Sequence, residues 1–225
     1  MRKLCFLVLV ALTSCERPWK EMNELELTRA VLSDPENDTA HYYLGLLLYK
    51  NERLSEAEPH LREAIRLNPG NPDARWALGR LLMDKGLYPE AEKELVQAIA
   101  LNPDHSDAHC DLGTVMSFMG RDSEAASEWR EAVRADPNNY LAHYNLGVWL
   151  YKRGRREEAK EEFHKTTQIN PGYAKAHGNL GIIYKEEGNY DKAKEELKIA
   201  AQLFEEQGKP QDAARAEEIL KRLEK

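Results

Sequence analysis

The sequence holds only three cysteines, Cys5, Cys15 and Cys110, and only Cys110 lies well inside the chain. One internal thiol cannot build a disulfide framework, and no Cys-x-x-Cys spacing offers a zinc site. Basic residues are in deficit, 32 Lys and Arg against 39 Asp and Glu, for a formal charge of −7. Such a balance lacks the concentrated basic face that holds nucleic acid. No apolar run approaches the ~20 residues of a spanning helix. Catalytic signatures are missing as well: there is no phosphate-cradling loop, no GxGxxG after a strand, no GxSxG and no HExxH. These absences lead to the expectation of no enzyme, no cofactor and no metal. The charges, 32% of the residues, are spread along the chain in both signs, as on solvated helix faces.

What is present is repetition. Five Leu-Gly pairs, at Leu44-Gly45, Leu78-Gly79, Leu112-Gly113, Leu146-Gly147 and Leu180-Gly181, are spaced 34 residues apart. In the same period recur Ala57, Ala91, Ala125, Ala159 and Ala193, then Leu61, Leu95, Trp129, Phe163 and Leu197. Small residues follow at Ala64, Ala98, Ala132, Thr166 and Ala200, and prolines stand at 35, 69, 103, 137 and 171. Glycine and alanine let two helices approach closely, and the large residues fill the space between them. Gly86, Gly120, Gly154 and Gly188 mark hairpin turns, with Asn51 expected to take the left-handed conformation in the first copy. Pro59, one turn into a helix, is expected to kink it. The pattern resembles the tetratricopeptide repeat. That resemblance implies an all-α fold, a right-handed solenoid of antiparallel helix hairpins, with a concave groove for other proteins or peptides.

On this reading residues 38–71, 72–105, 106–139, 140–173 and 174–207 are the five repeats. Residues 21–37 form an N-terminal half-repeat helix, with Leu27, Ala30 and Pro35 on the repeat columns. Residues 208–225 form a C-terminal capping helix whose apolar stripe is Ala213, Ala216, Ile219, Leu220 and Leu223. Residues 21–225 are expected to be one continuous stack.

The beginning of the chain reads as an address. Arg2 and Lys3 precede a short apolar run, Leu4 to Leu12, and then Thr13, Ser14 and Cys15, which together describe a signal peptide over residues 1–14. Leu12-Thr13-Ser14-Cys15 resembles the lipobox of bacterial lipoproteins. The resemblance implies cleavage before Cys15, lipidation of its sulfur and stable membrane anchoring by several acyl chains. Residues 15–20 would then be a tether of at most about 20 Å. Glu16, where an aspartate would resemble an inner-membrane retention signal, leans toward the periplasmic side of the outer membrane.

Two sets of residues are candidates for function. His41, His109, His143 and His177 share one repeat column, with Arg75 in the second copy. Equivalent positions lie at least an interaxial spacing apart, ~8–10 Å, so the ladder cannot share one metal ion. His105, His109 and Cys110 remain as the alternative, a small-ligand or metal site in a sensor or enzyme. The second set is the groove implied by the resemblance: Tyr42, Leu46 and Tyr49; Trp76, Arg80 and Met83; Cys110, Thr114 and Ser117; Tyr144, Val148 and Tyr151; Gly178, Ile182 and Lys185. Of these, the aromatic-rich first, second and fourth triplets are the partner-binding residues expected to bury apolar side chains. Leu46, Arg80, Thr114, Val148 and Ile182 stand where a carboxylate-clamping asparagine would sit, which argues against that clamp. Asn145 and Asn179 form a short pair resembling a backbone-gripping ladder. The expectation is a non-catalytic scaffold, lipid-anchored in the bacterial cell envelope and binding proteins through its groove, with residues 21–34 a candidate surface for pairing as a homodimer. A cytoplasmic adaptor with a misread N-terminus is the other alternative.

Overall fold

The computed structural model describes residues 18–223. The signal segment and Cys15 therefore lie outside the described residues. All regular structure among the described residues is helical. They divide into two compact units, one ending at Pro69 and one starting at Gly70.

In the first unit a short 3-10 turn, Trp19–Glu21, precedes α1 (Glu24–Ser33), α2 (Asp38–Lys50) and α3 (Leu54–Leu67). Helix α1 starts at Glu24 rather than Glu21 because Asn23 caps it. The Asn23 side chain accepts from Glu26 N at 3.0 Å, and the Glu26 carboxylate accepts from Asn23 N at 2.8 Å. Helix α2 packs on both α1 and α3. Helix α3 runs uninterrupted from Leu54 through Pro59 to Leu67.

The second unit holds α4 (Pro72–Asp84), α5 (Tyr88–Leu101), α6 (Ser106–Phe118), α7 (Asp122–Ala135), α8 (Tyr140–Lys152), α9 (Arg156–Ile169), α10 (Ala174–Glu186), α11 (Tyr190–Glu206) and α12 (Pro210–Leu223). The helices pair as hairpins, α4 with α5 through α10 with α11, and each hairpin leans on the next. Helix α12 covers the end, burying Ala213, Ala216 and Leu220 against Phe204, Leu197 and Ala201.

The joints and turns follow from local chemistry. At each described joint an Asn or Asp precedes the proline, where helical backbone is disfavoured, so the preceding helix stops there. At Asp34, Asn102, Asp136 and Asn170 the side chain then accepts from the N–H two residues on, as Asp136 does from Asn138 at 2.9 Å. Next, Asn37, Asn71 and Asn139 cap the following helix by accepting from Ala40, Ala74 and Ala142. His105 does the same with Nδ1 toward Ala108 N. At the hairpin turns Gly86, Gly120, Gly154 and Gly188 have φ of 74° to 78°. In the first copy the left-handed residue is Glu52, at φ 62°, and Asn51 has φ −89°. The turn's register decides this. Glu52 N bonds Tyr49 O and Arg53 N bonds Leu48 O, the same pair that Gly86 and Leu87 make with Met83 and Leu82.

Within each hairpin the Leu-Gly glycine faces the large residue of the second helix. A Cβ added at Gly45, Gly79, Gly113, Gly147 or Gly181 would come within 2.6–2.8 Å of Leu61, Leu95, Trp129, Phe163 or Leu197. The partner alanines at 57, 91, 125, 159 and 193 are fully buried.

A second column ties the helices of a hairpin together. His109 Nδ1 lies 2.7 Å from Glu128 Oε2 and its Nε2 lies 3.0 Å from Pro103 O. His143 stands likewise between Glu162 and Pro137 O, and His177 between Glu196 and Pro171 O. Arg75 reaches Glu94 at 3.0 Å in the second copy. In the first copy a histidine replaces the glutamate, and His41 Nδ1 meets His60 Nδ1 at 3.0 Å. The histidine column is thus a set of polar clasps, not simply bulky packing. A carbonyl and a carboxylate both accept, so these contacts favour the doubly protonated ring at His109 and His177. The Glu128 hydrogen bond raises the His109 pKa against the opposing effect of burial. At His177 burial works downward, and the Glu196 and Pro171 contacts outweigh it.

Two predictions follow from these contacts. Alanine at position 113 gains about 1 kcal/mol of helix propensity. It also meets Trp129 at 2.6 Å and the Ala125 carbonyl at 2.9 Å, and overpacking of this kind costs about 1–3 kcal/mol. Gly113→Ala is expected to lower stability by a net of about 1 kcal/mol in urea unfolding, whereas propensity alone would raise it. The second prediction concerns pH. A histidine whose folded pKa is raised contributes stability that is complete below its unfolded value of about 6.5 and is lost as pH rises through the folded value. Urea midpoints are expected to fall as the pH rises above about 6.5, and His109→Gln with His177→Gln to flatten that slope. An unchanged slope in the double variant would refute the clasp.

Candidate functional site

The first helix of each hairpin presents the residues singled out by sequence. In the first unit Tyr42, Leu46 and Tyr49 lie along α2, each half-buried. Tyr42 stands edge-on to Tyr43 at 4.9 Å. Leu46 borders a hollow of about 180 Å³ with Trp19, Met22 and Lys50. In the second unit Trp76, Arg80 and Met83 lie on α4, and Tyr144, Val148 and Tyr151 on α8, all half-buried. The aromatics are partly packed into the fold. Tyr144 sits edge-on to Tyr173 at 4.9 Å, and Tyr151 Oη donates to Glu186 at 2.7 Å.

Between α4 and α6 the face is already occupied by its own polar network. Trp76 Nε1 donates to Asp111 Oδ2 at 2.8 Å, and the Arg80 guanidinium lies 5.7 Å from the Trp76 ring centre. Asp111 is buried, which pushes its carboxyl up to about 6, while Arg80 and the Trp76 N–H oppose that rise. Asp111 was missed by the sequence reading. Its signal was its register: it occupies the column of Asn145 and Asn179, beside Cys110. Asn145 is also engaged, donating to Thr114 Oγ1 at 3.2 Å, and Thr114 donates to Cys110 O. The Asn179 side chain lies beside the Tyr144 hydroxyl in the wall of one cleft. The asparagine pair is therefore set against neighbouring side chains.

Open space lies further along the second unit. A cleft of about 370 Å³ is lined by Tyr144, Asn179, Ile182, Phe204, Arg215 and Ile219. A smaller one, about 170 Å³, has Thr114, Val148, Trp149 and Lys152 on its walls. Arg215 and Ile219 come from α12, which the sequence reading treated only as a cap. Their spacing, four residues apart on one helix face, was the available sign.

The alternative ligand set does not converge. His109 has both ring nitrogens engaged, and His105 spends Nδ1 on capping α6. Cys110 is 3% exposed, and burial pushes its thiol well up, which disfavours the thiolate that binds metal. Among the described residues no group of three His, Cys, Asp or Glu is placed to hold a metal ion. No described helix is long and apolar enough to cross a membrane.

Solved structures share this architecture. YrrB, described as a TPR protein with an unusual peptide-binding site, matches at 25% identity and TM-score 0.60, over 87% of this chain and all of its own. PilF of Pseudomonas aeruginosa matches at 22% identity and TM-score 0.69, over 84% of this chain and 92% of its own. TTC0263 of Thermus thermophilus, a thermophilic TPR protein, matches at 21% identity and TM-score 0.65, over 82% and 99%. No curated protein matches the sequence at a significant level. One tetratricopeptide repeat profile matches residues 48–109 and 150–217, and a second matches 118–173. The first alone spans more than half of the sequence, in the repeats that carry the Leu-Gly pairs, and the chain belongs to the tetratricopeptide repeat family.

Proposed function

We propose that this protein is a non-catalytic scaffold of the bacterial cell envelope, anchored by lipid at Cys15 and holding partner proteins or peptides on the first-helix faces of its repeats. The observation that carries the partner reading is the set of half-buried apolar and aromatic residues on α8 and α10, Tyr144, Val148, Trp149 and Ile182, next to two open clefts. Such surfaces anchor partners through large apolar side chains. The similarity to YrrB, whose description names a peptide-binding site, supports the same class of ligand. The anchor rests on the sequence alone: a basic start, a short apolar run and Leu12-Thr13-Ser14-Cys15. The side of the membrane rests on Glu16, which favours the periplasmic face of the outer membrane.

Two experiments test the two halves separately. A photocrosslinking amino acid at position 148 is expected to capture a partner polypeptide in cells. The same group at position 96, exposed on α5, is expected to capture none. Tyr144→Ala should reduce capture at position 148 at least tenfold with the helical signal retained. Equal capture from both positions would remove the face from consideration. For the anchor, Cys15→Ala is expected to move the protein from membranes to the soluble fraction and to abolish the lipid mass on the mature chain. Continued membrane association would contradict lipidation.

A further inference from the structure

Gly178 is the exception in its column. The same position of the first helix carries Tyr42, Trp76, Cys110 and Tyr144 in the other repeats. Nothing in the fold requires glycine there. The residue lies inside helix α10, and an added Cβ would meet only Ala200 Cβ, at an ordinary 3.9 Å. Glycine inside a helix is unfavourable, so local structure gains nothing from it. What it leaves is room. The cleft of about 370 Å³ opens over Gly178, lined by Ile182, Phe204 and Ile219. That size and lining suit a large apolar side chain.

The mouth of the cleft is charged unequally. Lys175 and Arg215 are exposed beside it. The carboxylate among the lining residues, Asp212, is bonded to Arg215 NH1 at 3.2 Å. One carboxylate thus faces two cations, and the surplus is positive although the chain as a whole carries −7. An acidic group entering here meets complementary charge on a protein whose net charge is negative.

We infer that the space over Gly178 is an anchor pocket for an extended segment of a partner protein in which a Leu- or Phe-sized side chain sits beside an acidic one. The apolar side chain fills the cleft, and Lys175 and Arg215 meet the acid. Helix α12 is then a wall of the binding site as well as a cap. This inference rests on the reading of the first-helix faces as partner surfaces and names the chemistry of one partner.

The test uses the full chain and a fluorescent, end-capped peptide, Ser-Gly-Glu-Phe-Glu-Gly-Ser, read by anisotropy. The expected Kd is at least tenfold lower than for the same peptide with Lys in place of both Glu, or with Ala in place of Phe. Gly178→Tyr restores the column's usual bulk, so it is expected to weaken binding at least tenfold while the melting temperature holds or rises. Lys175→Glu with Arg215→Glu is expected to transfer the preference to the Lys peptide. Equal binding of the three peptides, no binding of any, or unchanged binding by Gly178→Tyr would overturn the pocket. So would a concentration-dependent dimer in sedimentation that Gly178→Tyr abolishes, since a second copy would then be the occupant. If the peptides fail while position 148 still captures a partner, only this pocket falls; if both fail, the partner face falls with it.

Discussion

Each hairpin depends on one close approach between its two helices. The glycine of the Leu-Gly pair has no Cβ, and the Leu, Trp or Phe sixteen residues on occupies the place where that Cβ would be. A larger residue at either partner position would push the helices apart and open gaps around the buried alanines. Close packing makes such gaps costly, because the atoms lining them lose their contacts outright. The 34-residue period is therefore a packing constraint, met five times, and the joints and turns serve to return the chain to it.

Polar contacts hold the register that this packing needs. The clasps from His109, His143 and His177 join the first helix to a glutamate on the second and to the carbonyl of the joint before it. A buried group of this kind is sound only when every donor and acceptor is met, and here both ring nitrogens are used. Trp76 and Asp111 do the same between neighbouring first helices. One consequence is that the first-helix face of the second unit is uneven. Around α4 and α6 its polar groups answer one another, whereas around α8, α10 and α12 space and charge are left over.

That unevenness separates the stable part of the face from the part proposed for a partner. A tyrosine that packs on its own neighbour, as Tyr144 does on Tyr173, still offers its outer surface. It is also already ordered, so less conformational freedom is lost on binding. Rigid aromatic walls beside an unfilled hollow are the arrangement in which a few side chains supply most of an interface's energy.

The sequence by itself determined the helices, the hairpin pairing and the family, because the signals for these are local or strictly periodic. The Leu-Gly pairs, the Asn- or Asp-Pro joints and the turn glycines each act within a few residues or at a fixed spacing. The clasping glutamates 94, 128, 162 and 196 were legible too, as a 34-residue column, but their meaning required knowing that position 19 after each histidine or Arg75 lies across the hairpin. Tertiary structure alone decided that Glu52, not Asn51, turns left-handed, since the hydrogen-bond register of the turn overrides residue preference. It alone buried Asp111 under Trp76, and it alone opened a cleft where Gly178 lacks the side chain its column carries elsewhere. These features depend on how side chains from separate helices fill or leave a shared volume, and no single stretch of sequence records that volume.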